Sequence, residues 1–126
     1  MTRSNGKAGE TLAQYLFNTL GWRMDRSQPP FTITKVHADG KVTGYFSKGG
    51  IADFVGEDKD SKYIACEVKE ASGNTCPCSR LSPSQRDWMN TVRGQRYVAV
   101  YWLDHGLIER FEYKEKGSYK FGGGAK

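Results

Sequence analysis

Three residues in this chain have the types and spacing to do chemistry together: Asp53, Glu67 and Lys69. Glu67-Val68-Lys69 continues the apolar run Ile64-Ala65-Cys66. Side chains alternate across a strand, so Glu67 and Lys69 share one face, and Ile64, Cys66 and Val68 share the other. Two charges on a strand otherwise fit for a core are costly unless they pair or bind a metal. If Ile51–Val55 is the neighbouring strand, Asp53 approaches Glu67, and a divalent cation relieves the repulsion between the two carboxylates. Magnesium suits such a pair, being a hard ion held by one or two carboxylates with waters and phosphates, with Mn2+ as a substitute. The Val68 carbonyl is a further candidate ligand. A metal there polarises a phosphodiester and acidifies a bound water. Lys69 then orients that water or offsets the charge that develops. As isolated residues, the same three groups make an ordinary cross-pleat ion pair and a strand-edge carboxylate.

The elements that must position these residues follow from the pattern around them. Ala8, Leu12, Ala13, Tyr15, Leu16 and Leu20 fall on one arc at helical spacing, which predicts a first helix over Lys7–Leu20. Ser4 or Asn5 caps its start and Gly21 stops it. Glu10 lies at the margin of the apolar arc, leaning toward the body of the protein. After Pro29-Pro30, the stretches Phe31–His37 and Val42–Phe46 read as strands joined by an Asp39-Gly40 turn. Gly49-Gly50 leads into the short strand Ile51–Val55. Glu57–Ser61 is a charged turn, Tyr63–Val68 a strand and Ser72–Ser79 a loop. Ser82-Pro83-Ser84-Gln85 combines a capping box with proline at the first helical position, so a second helix starts there and ends at Gly94. Tyr97–Leu103 is almost unbroken in its apolar character, as in a strand covered on both sides. The turn Asp104-His105-Gly106 leads to a last strand, Leu107–Tyr113. Residues 1–121 form one domain on this reading, and the glycine-rich 122–126 is a flexible tail.

With 126 residues the chain has the size of one domain and needs no metal or disulfide to hold a core. No run is long enough to span a bilayer and Met1–Gly9 is polar and basic, so the expectation is a soluble, cytoplasmic protein without membrane contact. A balance of 19 Lys+Arg against 14 Asp+Glu gives a net charge of +5, which suits a polyanionic partner such as nucleic acid. Cys66, Cys76 and Cys78 are an odd count without a secretory signal, which argues against a disulfide framework. Cys76-Pro77-Cys78 is too closely spaced for paired zinc ligands, and neither His37 nor His105 completes a cluster.

The order of these motifs resembles the PD-(D/E)XK nuclease superfamily: an Asp on a short strand, thirteen intervening residues, then Glu67-Val68-Lys69. Gly50 to Gly56, the E-x-K triplet and Leu81-Ser82-Pro83-Ser84-Gln85 with Trp88 are most similar to the VRR-NUC group. Small phage and archaeal Holliday-junction resolvases share that core. Ala52 stands where the family's first motif often has proline. The resemblance implies an α/β, restriction-endonuclease-like fold, a central mixed sheet flanked by helices. It implies Asp53 and Glu67 as metal ligands and Lys69 as the catalytic lysine. Glu10 would orient water or complete the outer metal shell, and Gln85 would line the site, although the capping box alone explains Ser82 and Gln85. Arg3, Lys7, Lys48, Arg80, Arg86, Arg93 and Arg96, with Ser82, would form a phosphate-binding rim. Trp22, Tyr45 and Phe46 are of a type that stacks on bases, although isolated aromatics more often belong to a core. The activity implied is magnesium-dependent cleavage of branched DNA by a homodimer. Flap, linear or site-specific cleavage is the alternative, and a non-catalytic nucleic-acid-binding module a third.

Overall fold

The structure is a computed structural model that describes residues 7–27, 31–46 and 52–125. Its elements in chain order are α1 (Lys7–Leu20), β1 (Arg23–Arg26), β2 (Phe31–Val36), β3 (Val42–Phe46), β4 (Phe54–Glu57) and β5 (Tyr63–Ala71). There follow β6 (Thr75–Pro77), a short 3-10 turn (Cys78–Arg80), α2 (Pro83–Thr91), β7 (Gln95–Trp102), β8 (Leu107–Glu112) and β9 (Ser118–Lys120).

A five-stranded sheet in the order β1-β4-β5-β7-β8 organises the chain. β5 and β7 run parallel, and the other neighbours are antiparallel, so the sheet is mixed as expected. The parallel step from β5 to β7 is the one that requires a crossover, and α2 lies on it. Alternation along β5 splits the core in two. Ile64, Cys66 and Val68 pack with Ala13 and Phe17 of α1, whereas Ala65 and Ala71 pack with Met89 of α2, Val98, Val100 and Trp102. Helices therefore cover both faces, and the near-continuous apolar run of β7 follows from its central place.

α1 ends as its sequence requires. Gly21 adopts φ +74, and Trp22 N donates to Phe17 O at 2.9 Å while Gly21 N donates to Asn18 O at 3.2 Å. This double closure is a Schellman motif, with Trp22 stacked on Phe17 as its apolar contact. Trp22 is thereby core rather than a base-stacking surface. The expected caps Ser4 and Asn5 lie outside the described residues, as do Pro29-Pro30 and Gly49-Gly50.

Several expectations are corrected. The strand expected at Ile51–Val55 is β4, starting at Phe54, so Asp53 immediately precedes it, and Ile51 lies outside the described residues. Pairing sets this boundary: Phe54 faces both Arg26 of β1 and Cys66 of β5, whereas Asp53 O accepts from Ser27 N at 2.9 Å. Glu57 belongs to β4, and the turn after it is built on Asp58, whose Oδ1 accepts from the backbone N–H of Asp60 and Lys62. β1 carries three charged residues among four, the composition of a protected sheet edge, and has no periodicity to announce it. The loop expected at Ser72–Ser79 contains β6, which pairs with β9 through Cys76 and Tyr119, both buried. Of the stretch expected to be a flexible tail, residues 122–125 are described and make hydrogen bonds to the rest of the chain, and Lys126 lies outside the described residues. Arg110 and Ala125 exchange both backbone hydrogen bonds, and Gly122 N donates to the buried Glu109 carboxylate at 2.7 Å. Among the described residues no helix is long and apolar enough to cross a membrane.

Candidate functional site

The antiparallel register that pairs Phe54 with Cys66 places Asp53 opposite Glu67, one step beyond the last paired position. Asp53 is then fixed by its own side chain: Oδ2 accepts from Val68 N at 2.8 Å. Its backbone carbonyl is fixed from the other side by Ser27. Glu67 is 1% exposed, and its partner on the helix side is Gln85, whose Nε2 donates to Glu67 Oε1 at 3.4 Å.

Gln85 is the hinge of the group. Its Oε1 accepts from Ser82 N at 2.9 Å and from Lys69 Nζ at 3.2 Å, and its backbone N donates to Ser82 Oγ at 3.2 Å. The capping box that starts α2 and the link between Glu67 and Lys69 are therefore one hydrogen-bond set. An ammonium on the amide oxygen and a carboxylate on the amide nitrogen orient that amide.

Burial pushes the Glu67 carboxyl up from 4.5 to about 9, and the adjacent Asp53 carboxylate adds to the shift, while Lys69 opposes it. Glu67 Oε2 is buried with no hydrogen-bond donor facing it among the described residues. As an ion Glu67 therefore leaves a bare buried oxygen; as an acid it keeps its proton and donates a hydrogen bond to Asp53. A cation in place of that proton satisfies both carboxylates, so the pair fits a hard divalent ion. Among the described residues no cluster of three or more His, Cys, Asp or Glu forms, and two carboxylates with waters and phosphate oxygens are what magnesium ordinarily takes.

The remaining expected residues divide. Glu10 does not touch the pair: it forms an ion pair with Arg26 and reaches Glu67 only as a further negative charge. Its place is set by Gly9, where a Cβ would come within 3.3 Å of both Glu70 Cγ and Tyr101 Cβ, so glycine lets α1 lie close on the sheet. Arg26, on the strand that sequence periodicity missed, is the added member of this group, and its appearance depends wholly on β1 pairing with β4. Lys7 lines a cleft of about 290 Å³ with Glu10, Thr11, Gln14, Arg26 and Phe54.

Arg80 Nη2 donates to Glu70 O at 2.8 Å, one residue beyond Lys69. Arg96 and Arg86 form a separate group around Tyr113. Arg96 lies over its ring at 5.4 Å, and Tyr113 Oη donates to Arg86 O at 3.4 Å. Arg93 is exposed after α2, and Arg3 and Lys48 lie outside the described residues. The side chains of Tyr45 and Phe46 are likewise outside them. Cys66, Cys76 and Cys78 are buried free thiols.

No protein-family model matches the chain, so the VRR-NUC grouping has no such support, and no curated protein matches it. Among solved structures, it is similar to Hjc of Archaeoglobus fulgidus, a Holliday junction resolvase from an archaeal hyperthermophile. That similarity has a TM-score of 0.54 at 16% identity, covering 89% of this chain and 88% of that one. SSO0001 matches at 16% identity over 86% of this chain and 52% of that chain, with a TM-score of 0.38. The likeness to Hjc shows the fold: a mixed central sheet flanked by helices, as in that nuclease.

Proposed function

We propose that this protein is a magnesium-dependent endonuclease that hydrolyses phosphodiester bonds in branched DNA, with the four-way junction as its preferred substrate. The observation that carries the reading is the Asp53–Glu67 pair. Two carboxyl groups meet there, Glu67 buried and Asp53 half-buried, one Glu67 oxygen has no donor among the described residues, and an ammonium group stands on the same strand face. A structural ion pair has no need of the second carboxylate. Similarity of fold to a resolvase adds support.

In this reading Asp53 and Glu67, with the Val68 carbonyl, hold the cation. Bound there, a divalent ion supplies Lewis-acid activation of the phosphate and a more acidic water. Val68 N keeps Asp53 in place, and Gln85 keeps Glu67 and Lys69 at a fixed separation, so the site is preorganised before substrate arrives. Lys69, held by a neutral amide rather than by a carboxylate, offers its side chain to the attacked phosphate or the attacking water. Arg80 contributes to phosphate binding at this end of β5, and Glu10 acts with Arg26 at the edge of the site. A junction presents two equivalent strands, so the working form is a homodimer.

Incubating the protein with labelled linear, flapped and four-way-junction DNA in magnesium tests the reading. Paired cuts in the junction, lost in Lys69→Ala with binding retained, are the expected result. Cutting of flapped or linear DNA alone would replace the substrate, and no metal-dependent cutting of any DNA would reject the enzyme.

A further inference from the structure

β2 and β3 form a two-stranded sheet of their own, separate from the main sheet. The register pairs Val36 with Val42, Lys35 with Thr43 and Ile33 with Gly44, with a bulge between Ile33 and Lys35. The bulge keeps Ile33 and Val36 on one face although they are three residues apart, and Thr34, the extra residue, donates from Oγ1 to Thr43 O at 3.1 Å. One face of the ribbon therefore carries Ile33, Val36 and Val42, which are 54%, 67% and 48% exposed. The other carries Lys35 and Thr43, with the His37 ring against Thr43. Lys41 stands at the turn, and its nearest carboxylate, Asp39, is 4.0 Å away and itself open to solvent. A two-stranded hairpin is marginal in water by itself, so a partner that covers one face would stabilise it.

Its root is tied by a short stretch of chain to the candidate active site. Ser27, four residues before Phe31, donates to the backbone carbonyl of Asp53. Four extended residues span at most about 14 Å, so with the hydrogen bond β2 begins within about 17 Å of the Asp53 carbonyl. Six strand residues then reach roughly 20 Å further.

We infer that residues 31–46 are a DNA-gripping arm that enters a groove of the duplex flanking the scissile phosphate. This inference rests on the nuclease reading above. A major groove about 12 Å wide admits a two-stranded ribbon. The aliphatic face meets base edges and sugars, and Lys35 and Lys41 extend to the phosphates on either side. Duplex DNA suits this surface better than a second copy of the chain. Three aliphatic side chains offer far less than the roughly 800 Å² per partner of a stable protein contact.

The test compares wild type with Lys35→Glu/Lys41→Glu and with Ile33→Ser/Val36→Ser/Val42→Ser. Binding to a short labelled duplex is measured in chelator at several salt concentrations, with light-scattering mass and cleavage in magnesium alongside. The charge-reversed variant is expected to bind at least about tenfold more weakly at low salt. Its log-affinity against log-salt slope should be shallower by about 2, as for two lost phosphate contacts. Unchanged affinity and slope would overturn the inference. So would a serine variant that turns a dimer into monomers of undiminished DNA affinity, which would make the arm a subunit contact. A wild type that binds duplex through the arm but cuts no DNA would leave the arm standing and remove the nuclease reading.

Discussion

The carboxylate of Asp53 accepts a hydrogen bond from the backbone N–H of Val68 at 2.8 Å. This single contact fixes the acid that precedes β4 against the strand that carries Glu67 and Lys69. It separates two roles of Asp53 that mutation distinguishes. Asp53→Asn keeps an acceptor for Val68 N and removes the charge. It is expected to fold with little change in stability and to lose at least about a hundredfold in metal-dependent cleavage, the scale of a lost electrostatic contact in a transition state. Asp53→Ala also leaves the N–H unpaired and is expected to cost about 1 kcal/mol more in urea denaturation. Full cleavage by the Asn variant would remove Asp53 from the chemistry.

Gln85 joins a helix cap to the side chains of Glu67 and Lys69, so its two duties also come apart. Ser82→Ala removes the cap hydroxyl and is expected to cost about 1 kcal/mol in stability with cleavage within a few-fold of wild type. Gln85→Glu preserves the capping box but replaces the donor to Glu67 with a carboxylate. Near-native stability with at least about tenfold slower cleavage is the expected result, from lost positioning of Lys69 and Glu67. Equal cleavage by both variants would reduce Gln85 to a cap.

The raised Glu67 carboxyl makes stability depend on pH. Its value of about 9 in the folded chain lies above the ordinary 4.5, so between these values the folded state binds more protons than the unfolded one. Metal-free protein is therefore expected to lose stability as pH rises from about 5 to about 9, with Glu67→Gln flattening that slope. On the function proposed above, magnesium would take the place of the proton, so its stabilising effect should grow over the same interval. Denaturation curves in chelator and in magnesium measure both, and equal slopes for wild type and variant would contradict the assignment.

How much of this was legible from residues alone depended on the range of the forces involved. Glu67 and Lys69 were, because strand alternation is local, and the start of α2 was, because Ser82 and Gln85 signal it within four residues. Asp53 was found by its distance from the triplet, although the strand boundary beside it is set by Arg26 and Cys66, far away in the chain. Arg26 could not be found, since β1 is a charged edge whose only reason to be a strand is β4. The bulge in β2 hid the amphipathic ribbon by shifting the period between Ile33 and Val36. The end of the chain read as loose because glycine suggests freedom, while its anchor is Glu109 on another strand.

That anchor gives a stability prediction remote from the chemistry. Glu109 is 1% exposed, and its Oε1 accepts from Trp102 Nε1 at 2.8 Å as well as from Gly122 N. Glu109→Gln retains an oxygen acceptor and is expected to stay within about 1 kcal/mol of wild type. Glu109→Leu strands both donors and is expected to cost about 3 kcal/mol. Hydrogen exchange at Gly122 and Ala125 should quicken in the leucine variant only, and cleavage should be unaffected in both. Slow exchange at those amides in Glu109→Leu would show that the backbone bridge to Arg110 holds the end by itself.

The central claim is that Asp53 and Glu67 hold one divalent cation between them. Manganese titration followed by electron paramagnetic resonance, with proton release measured at neutral pH, addresses it directly. Wild type should bind one ion and release a proton as Glu67 ionises, and Glu67→Gln should bind at least about tenfold more weakly and release none. Equal affinity and equal proton release in the two proteins would contradict the account.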